Sequence, residues 1–300
     1  MSEVTILVWV EVFLTNTGGK IFPPFLLCRK FLIYGIYYFF MVWYDLDGKI
    51  GEMRFFIKEC KCMATWNPWR GCKKCSEGCL HCYIHKGDAK RGIDTGKIEK
   101  TKDYNKPVVR LKNGNYKMKP GLVYTCFSTD FLIEEADEWR NECWQMIKER
   151  QDCYFLFLTK RIERFMDCIP EDWNEGYENV VVCCTIENQK NADYKLGIFS
   201  KLPIKHRCIT AQPLLEPINI EPYLDNIELV VAGGESDRFA RPLDYSWILD
   251  IREQCIRKNV SFEFRQCGTY FIKDGKQYKM QTKELCSQAR KAGIDYKADL

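Results

Sequence analysis

Histidine is scarce, with three in 300 residues. The chain has no H-E-x-x-H pair, no phosphate-cradling P-loop and no G-x-S-x-G nucleophile elbow. It also lacks a cleavable signal segment with a small-residue A-x-A site. Charge of one sign is missing too: 45 Lys+Arg stand against 41 Asp+Glu, a surplus of +4 that is too small to argue for nucleic acid by itself, so any basic surface must be local. At 46% hydrophobic and 29% charged, the composition excludes a disordered, collagen-like or fibrous chain. The length admits two domains of about 150 residues or one α/β barrel of about 200–250.

Cysteine is abundant instead, with seventeen residues. They are not spaced like the framework of a small secreted domain, so a reducing, cytoplasmic compartment is expected. Most should be small buried apolar residues, and a minority should ligate metal.

Residues 1–62 differ from the rest of the chain. An aromatic-rich run, Phe31-Leu-Ile-Tyr-Gly-Ile-Tyr-Tyr-Phe-Phe-Met-Val-Trp-Tyr44, comes directly after Arg29-Lys30. As a helix its fourteen residues would reach about 21 Å, short of a hydrocarbon core of about 30 Å. Backward extension meets Arg29, Lys30 and Pro23-Pro24, which argues further against a membrane span. Met63 precedes the first recognisable organisation. The preferred expectation is therefore that 1–62 is an upstream extension the working protein does not need, ahead of extra strands packed on the domain and of membrane attachment.

From residue 120 onward, β-branched and aromatic runs alternate with amphipathic stretches, as in βα units around a parallel sheet. Strands are expected at 122–127, 154–158, 179–185, 206–210, 227–232 and 260–265, with another near 64–67. Helices are expected at 134–150, 162–168, 192–201 and 245–258. Runs such as Val180-Val-Val-Cys-Cys184 are apolar throughout, which suits strands covered on both faces. The strands end in polar residues: Ser128-Thr129-Asp130, Thr159-Lys160-Arg161, Glu187-Asn188, Gln212, Gly234-Glu235-Ser236 and Gln266. Single polar strand ends are ordinarily just solvated, but six in succession favour a shared pocket, since barrel active sites are built from the loops after the strands. Thr159, Lys160, Arg161, Glu187, Asn188, Gln212 and Gln266 are the pocket candidates for catalysis. The expected fold is α/β, a partial (β/α) barrel of six to seven parallel strands over residues 63–300.

The most specific feature is Trp66-Asn-Pro-Trp-Arg-Gly-Cys-Lys-Lys-Cys-Ser-Glu-Gly-Cys-Leu-His-Cys-Tyr83, with Cys72, Cys75, Cys79 and Cys82 within eleven residues. A structural zinc site normally pairs two cysteine knuckles across a dozen or more residues. Here Cys75 and Cys79 are separated by three residues, an awkward geometry for one tetrahedral ion. Closely spaced cysteines among Gly and small polar residues suit an iron–sulfur cube, whose corner irons are reached by successive turns of one loop. Cys75-x₃-Cys79-x₂-Cys82 has the spacing of the radical S-adenosylmethionine (SAM) enzymes. Zinc and unliganded thiols are the lesser alternatives.

On Trp66-Asn67-Pro68, Gly71-Cys72, Gly78-Cys79-x₂-Cys82-Tyr83, Leu158-Thr159-Lys160-Arg161, Glu187-Asn188-Gln189, Pro213-Leu214-Leu215-Glu216-Pro217-Ile218 and Gly233-Gly234-Glu235-Ser236, the chain resembles the three-Cys-motif phage-type proteins. These are radical-SAM-like proteins of uncharacterised function, and the resemblance spans about residues 63–294. Their G-C-x₆-C-x₂-C-Y pattern maps onto Cys72, Cys79 and Cys82 and leaves Cys75 extra, whereas the superfamily spacing chooses Cys75. Cys72 is favoured because it follows Gly71, with Cys75 as its alternative. The resemblance implies a [4Fe–4S] cluster held at three irons, with SAM on the fourth. Reductive cleavage of SAM would give a 5′-deoxyadenosyl radical that abstracts hydrogen from a substrate. It also implies a phage or mobile-element association and a separate partner protein.

On the same resemblance, His81 is the expected adenine contact, with Tyr83, Ser128, Asp130, Gly234, Glu235 and Ser236 as further cofactor-binding candidates. Gly233-Gly234-Glu235 is similar to the superfamily motif for the SAM amino group, but it follows a late strand rather than an early one. Glu235 with Ser236 and Arg241 nearby suits a substrate equally well. Lys160 and Arg161 suit an anionic group, against simple solvation of a helix start. Gln212 replaces a glutamate common in the family, and Cys267 stands where an aromatic is expected, so it is read as a buried thiol. His206, inside a strand, reads as a core or edge residue.

Residues 86–119 hold eleven Lys+Arg against four Asp+Glu, with Tyr104 and Tyr116 interleaved. This segment reads as an inserted loop or hairpin that either tracks a nucleic-acid backbone or is a solvated basic flap. The functional expectation is a radical SAM-type iron–sulfur enzyme acting on an unknown substrate, with nucleic acid the leading guess. The alternatives are a non-catalytic zinc or iron–sulfur nucleic-acid-binding protein and a membrane-tethered redox protein.

Overall fold

Short β-branched runs punctuated by amphipathic stretches can satisfy their backbone only by pairing with one another, and here they do so in sequence order. The computed structural model of the chain describes residues 27–33, 36–42 and 63–299. The chain divides into two units, Met1–Glu59 and Cys60–Leu300.

In the first unit, β1 (Leu27–Ile33) and β2 (Ile36–Val42) pair antiparallel, with Leu27 opposite Val42 and Ile33 opposite Ile36. The described part of the aromatic run, residues 31–33 and 36–42, is extended rather than helical. The rest of the 1–62 segment, on which the extension expectation bears, lies outside the described residues. Among the described residues no helix is long and apolar enough to cross a membrane.

The second unit opens with β3 (Met63–Trp66) and β4 (Trp69–Arg70), followed by the cysteine loop and α1 (Tyr83–Lys90). Next come β5 (Glu99–Lys100), β6 (Gly121–Thr125), α2 (Asp137–Glu149), β7 (Cys153–Thr159) and the short α3 (Phe165–Cys168). The chain continues through β8 (Val180–Ile186), α4 (Gln189–Phe199), β9 (His206–Ala211), β10 (Leu229–Gly233), β11 (Leu243–Asp244) and α5 (Tyr245–Arg257). It ends with β12 (Ser261–Gln266), β13 (Tyr270–Lys273), β14 (Lys276–Lys279) and α6 (Leu285–Ala292).

Seven strands form one sheet in the order β3-β6-β7-β8-β9-β10-β12, every pair parallel. A sheet wound in one direction that begins at β3 and ends at β12, where Phe262 bridges antiparallel to Tyr296, is a partial (β/α) barrel. Each expected strand is present, with bounds shifted by one or two residues. β8 is buried at all seven positions, Thr185 included, as the apolar run Val180–Cys184 leads one to expect. α4 packs on β8, α5 on β10 and β12, and α6 on β12.

Under α2 lies an aromatic cluster. The Trp144 ring stands edge-on to Phe131 at 5.0 Å and is 5.2 Å from Trp173, and its indole N–H donates to the Cys168 carbonyl at 2.7 Å. An indole can be buried in this way because its one donor is satisfied.

The basic segment 86–119 is only partly an insertion, since its first residues complete α1. The remainder is stitched onto the barrel. β5 pairs with β4, the Tyr104 hydroxyl donates to the Trp139 carbonyl at 2.7 Å, and Arg110 bridges to Tyr116. Arg91, Lys97, Lys100 and Arg110 form ion pairs with Asp88, Glu99, Glu142 and Glu149.

Arg150, fully buried, donates to the Pro107 and Met118 carbonyls and to Asp152. Arg150→Ala leaves two carbonyls without a donor and opens a cavity, so urea denaturation should show a loss of about 3 kcal/mol or more. Arg110→Ala removes a half-exposed pair and should cost less than about 1 kcal/mol. Equal effects of the two would contradict this account of how the segment is held.

Candidate functional site

In a parallel sheet all strands end on the same edge, so Asn67, Asp130, Lys160, Glu187, Gln212, Glu235 and Gln266 lie at or just beyond one rim. The cysteine loop runs between β4 and α1 at that rim. Three buried carboxylates, one after each of β6, β8 and β10, tie it down.

Asp130 accepts hydrogen bonds from the Thr159 hydroxyl at 2.8 Å, the Lys160 N–H at 3.0 Å and the Arg161 guanidinium at 3.1 Å. Arg161 in turn donates to the Lys73 carbonyl of the loop at 2.6 Å. Glu187 has no solvent exposure and pairs with both Lys160 and Lys195. It also accepts from the Ser76 hydroxyl of the loop and from Asn191. Burial works to raise its pKa, but the two ammonium groups and the hydrogen bonds from Lys160 and Ser76 outweigh it and hold Glu187 below the usual carboxylate range. Glu235 accepts from the Arg241 backbone N–H at 2.8 Å and from its guanidinium, which also donates to the Glu77 carbonyl at 3.0 Å.

Asn188 adds a further tie. Its side-chain oxygen caps α4 by accepting from the Asn191 N–H at 2.9 Å, and its amide donates to the Glu77 carboxylate at 2.8 Å.

Two glycines allow this close approach. A Cβ on Gly78 would fall 2.5 Å from Cγ of Glu187. Gly71 sits at φ +91°, with the Lys97 carbonyl where its Cβ would be. The Gly-Cys pairs at 71–72 and 78–79 therefore have a steric reason.

The thiols are not equivalent. The Cys79 pKa is lowered to about 4, chiefly by a hydrogen bond from Cys75, with further help from Lys160 and Ser76 against the opposing effect of burial. Cys75, the donor, is pushed well up. Burial raises Cys72 to about 11, with Arg161 pulling the other way. Cys82 is the residue before α1.

Of the expected site residues, the structure thus brings together Cys72, Cys75, Cys79, Asp130, Thr159, Lys160, Arg161, Glu187 and Asn188, with Glu235 joined through Arg241. Arg161, Glu187 and Asn188, named as catalytic candidates, hydrogen-bond directly to the loop. Gln266 donates to the Gly234 carbonyl at 2.7 Å, and Gly234 packs against Cys267 and Gly268, leaving no room for a side chain. Tyr83 is exposed, and its hydroxyl donates to the Phe127 carbonyl at 3.2 Å. The Ser128 backbone N–H donates to the Asn67 side-chain oxygen at 3.3 Å. Gln212 is half-buried with no side-chain hydrogen bond among the described residues. His81 and Ser236 line a separate cavity. Cys267 is buried, as expected. His206 begins β9, at the opposite edge of the sheet, and its ring nitrogen lies 2.8 Å from Glu228.

Ser76 and Lys195 were missed by sequence reasoning. Lys195 lies among Ala192, Leu196 and Phe199 on the buried side of α4, and a lysine in such a stripe was the available signal.

Residues 59–293 match the model of a family described as proteins of unknown function, DUF5131. The chain belongs to the DUF5131 family. The match covers the cysteine loop and all seven strands of the sheet. No curated protein matches this DUF5131 chain. A solved structure, a spore photoproduct lyase double mutant with bound AdoMet and dinucleoside spore photoproduct, aligns with a TM-score of 0.40 at 11% identity. The alignment covers 75% of this chain and 60% of that one, so this chain spans less than two thirds of the length of the structure it matches.

Among the described residues of this DUF5131 protein, no three His, Cys, Asp or Glu side chains are placed to hold a single ion. The chemistry of the donor set nonetheless fits a thiolate-ligated cluster. Lys160 and Lys195 face one carboxylate, Glu187, which leaves one cation to balance a sulfur anion, and Cys79 is already held as the thiolate.

A thiolate with a pKa near 4 keeps its ultraviolet absorbance as the pH falls through neutrality. The metal-free protein, titrated without oxygen, should lose one thiolate's absorbance near pH 4. Cys75→Ala should move that step upward more than Lys160→Met does, because the Cys75 hydrogen bond is the larger cause. No thiolate absorbance below pH 7 would contradict the assignment.

Proposed function

We propose that this DUF5131 protein is a radical SAM-type iron–sulfur enzyme, with Cys72, Cys79 and Cys82 as cluster ligands and Cys75 as the alternative to Cys72. The observation that carries the reading is the tethering of a four-cysteine loop to the C-terminal rim of a parallel half-barrel by Asp130, Glu187 and Glu235. That rim is where barrel folds place their chemistry.

When bound, a three-cysteine [4Fe–4S] cluster supplies the electron that cleaves the SAM sulfonium bond. The chain's own residues hold the loop rigid and supply positive charge beneath it. Asp130 orients Arg161, which spans from β7 to the loop, and Glu187 fixes Lys160 close enough to Cys79 to favour its thiolate. Rigid support of this kind keeps ligands in position without the loop ordering anew on each encounter. SAM is expected beside the Gly234-Glu235 turn at the rim, with His81 and Ser236 at the boundary with the neighbouring cavity. The Glu235 carboxylate is already engaged by Arg241, so recognition of an amino group there falls to backbone carbonyls unless Arg241 moves.

The test is turnover. The full chain, reconstituted with iron and sulfide without oxygen, reduced with dithionite and mixed with SAM, should release 5′-deoxyadenosine and methionine, measured by chromatography. Cys79→Ser should abolish release, and whichever of Cys72→Ser and Cys75→Ser also abolishes it identifies the remaining ligand. Absence of product from the intact chain, or product unaffected by Cys79→Ser, would overturn the proposal.

A further inference from the structure

A cavity of about 850 Å³ lies beside the cysteine loop, reached from it by His81. Three distant segments supply most of its lining: the end of α1, the turn after β10 and the end of β14 with the residues just past it, with Thr269 before β13. They contribute Lys86, Lys90, Arg238 and Lys279 against a single carboxylate, Asp237, which is paired with Lys86. Lys90, Arg238 and Lys279 are exposed and make no ion pair among the described residues.

An aromatic ring stands among these charges. Phe239 is 59% exposed, with the Arg238 guanidinium 4.4 Å and the Lys86 ammonium 5.4 Å from its centre. The ring is thus left largely open to solvent, and the guanidinium nearest it has no carboxylate partner among the described residues. Gln281 and Thr282 at the wall offer hydrogen-bonding groups.

We propose that this groove binds a single-stranded segment of nucleic acid, with a base stacked on Phe239 and phosphates held by Lys90, Arg238 and Lys279. Stacking platforms flanked by cations recognise unpaired strands because every base has a π face and every linkage a negative charge. At about 850 Å³ the groove has room for a base together with its neighbouring backbone, within the roughly 300–1,000 Å³ typical of ligand sites. An acidic peptide would use the cations but leave the ring exposed.

Of the cations in the basic segment 86–119, Lys86 and Lys90 are the ones that line this site. The next cations along it, such as Arg91, Lys97 and Lys100, are occupied by ion pairs within the domain. The inference deepens the proposed function by naming its substrate class, and it rests on that function for bringing the strand to a reaction centre.

Binding is read without iron or SAM, so its failure and the failure of SAM cleavage are separate results. Fluorescence anisotropy of the full chain with a labelled single-stranded oligothymidine, and with its RNA counterpart, should show saturable binding. Three phosphate contacts predict a log–log salt slope of roughly −2. Phe239→Ala should weaken binding about tenfold. The double variant Lys90→Glu with Lys279→Glu should weaken it at least as much, and both should keep the wild-type circular dichroism spectrum. Preference for one oligonucleotide identifies the strand as DNA or RNA. No binding, binding unchanged in these variants, equal binding of polyglutamate, or displacement by a mononucleotide as effective as by the oligonucleotide would each overturn the proposal.

Discussion

Glu187 is wholly removed from solvent, and a carboxylate in that position is tolerable only with its charge matched and its oxygens satisfied. Both conditions are met from three directions: Lys160 from the end of β7, Lys195 and Asn191 from α4, and Ser76 from the cysteine loop. Gly78 lies so close to it that no side chain could intervene. The loop therefore depends on Glu187 for its seat, and Glu187 depends on the loop for part of its hydrogen bonding. Removing either partner leaves a buried polar group unpaired, which is far less favourable than the pair itself is favourable.

The same device recurs on either side. Asp130 and Glu235 each hold an arginine whose far end reaches a loop carbonyl, Lys73 through Arg161 and Glu77 through Arg241. Since the three carboxylates follow β6, β8 and β10, the loop is anchored across the rim rather than at one strand. Two carbonyls, a serine hydroxyl and the Glu77 carboxylate are then occupied by the scaffold, whereas the Cys72 and Cys79 thiols contact Lys73 and Ser76 within the loop itself. The Cys75 hydrogen bond is the main cause of the depressed Cys79 pKa, and the positive charge of Lys160 beneath the loop adds to it.

Much of this was legible in the residues. The strands could be placed because runs such as Val180–Cys184 are apolar at every position, a pattern that suits a strand covered on both faces. The cysteine cluster stood out by spacing alone, and the polar strand ends marked the rim. What those polar residues do was less legible. Thr159, Arg161 and Asn188 read as pocket residues, yet their side chains are spent on Asp130, Lys73 and Glu77, because a sequence does not tell which polar group faces another and which faces a cleft. Lys195 was hidden inside a helix, and the cationic groove draws on segments near 86–90, 236–239 and 279–282 that nothing local connects. The aromatic run near residue 31 shows the limit of periodicity, since a short apolar segment satisfies helix and hairpin templates alike.

The central claim is that this anchored loop carries an iron–sulfur cluster with an iron open to SAM. It is tested most directly by the electron paramagnetic resonance spectrum of the anaerobically reconstituted, dithionite-reduced full chain, recorded with and without SAM. A cubane signal that shifts when SAM is added is the predicted result. No cluster signal, or one indifferent to SAM, would contradict the account and leave the cysteine loop a structural element.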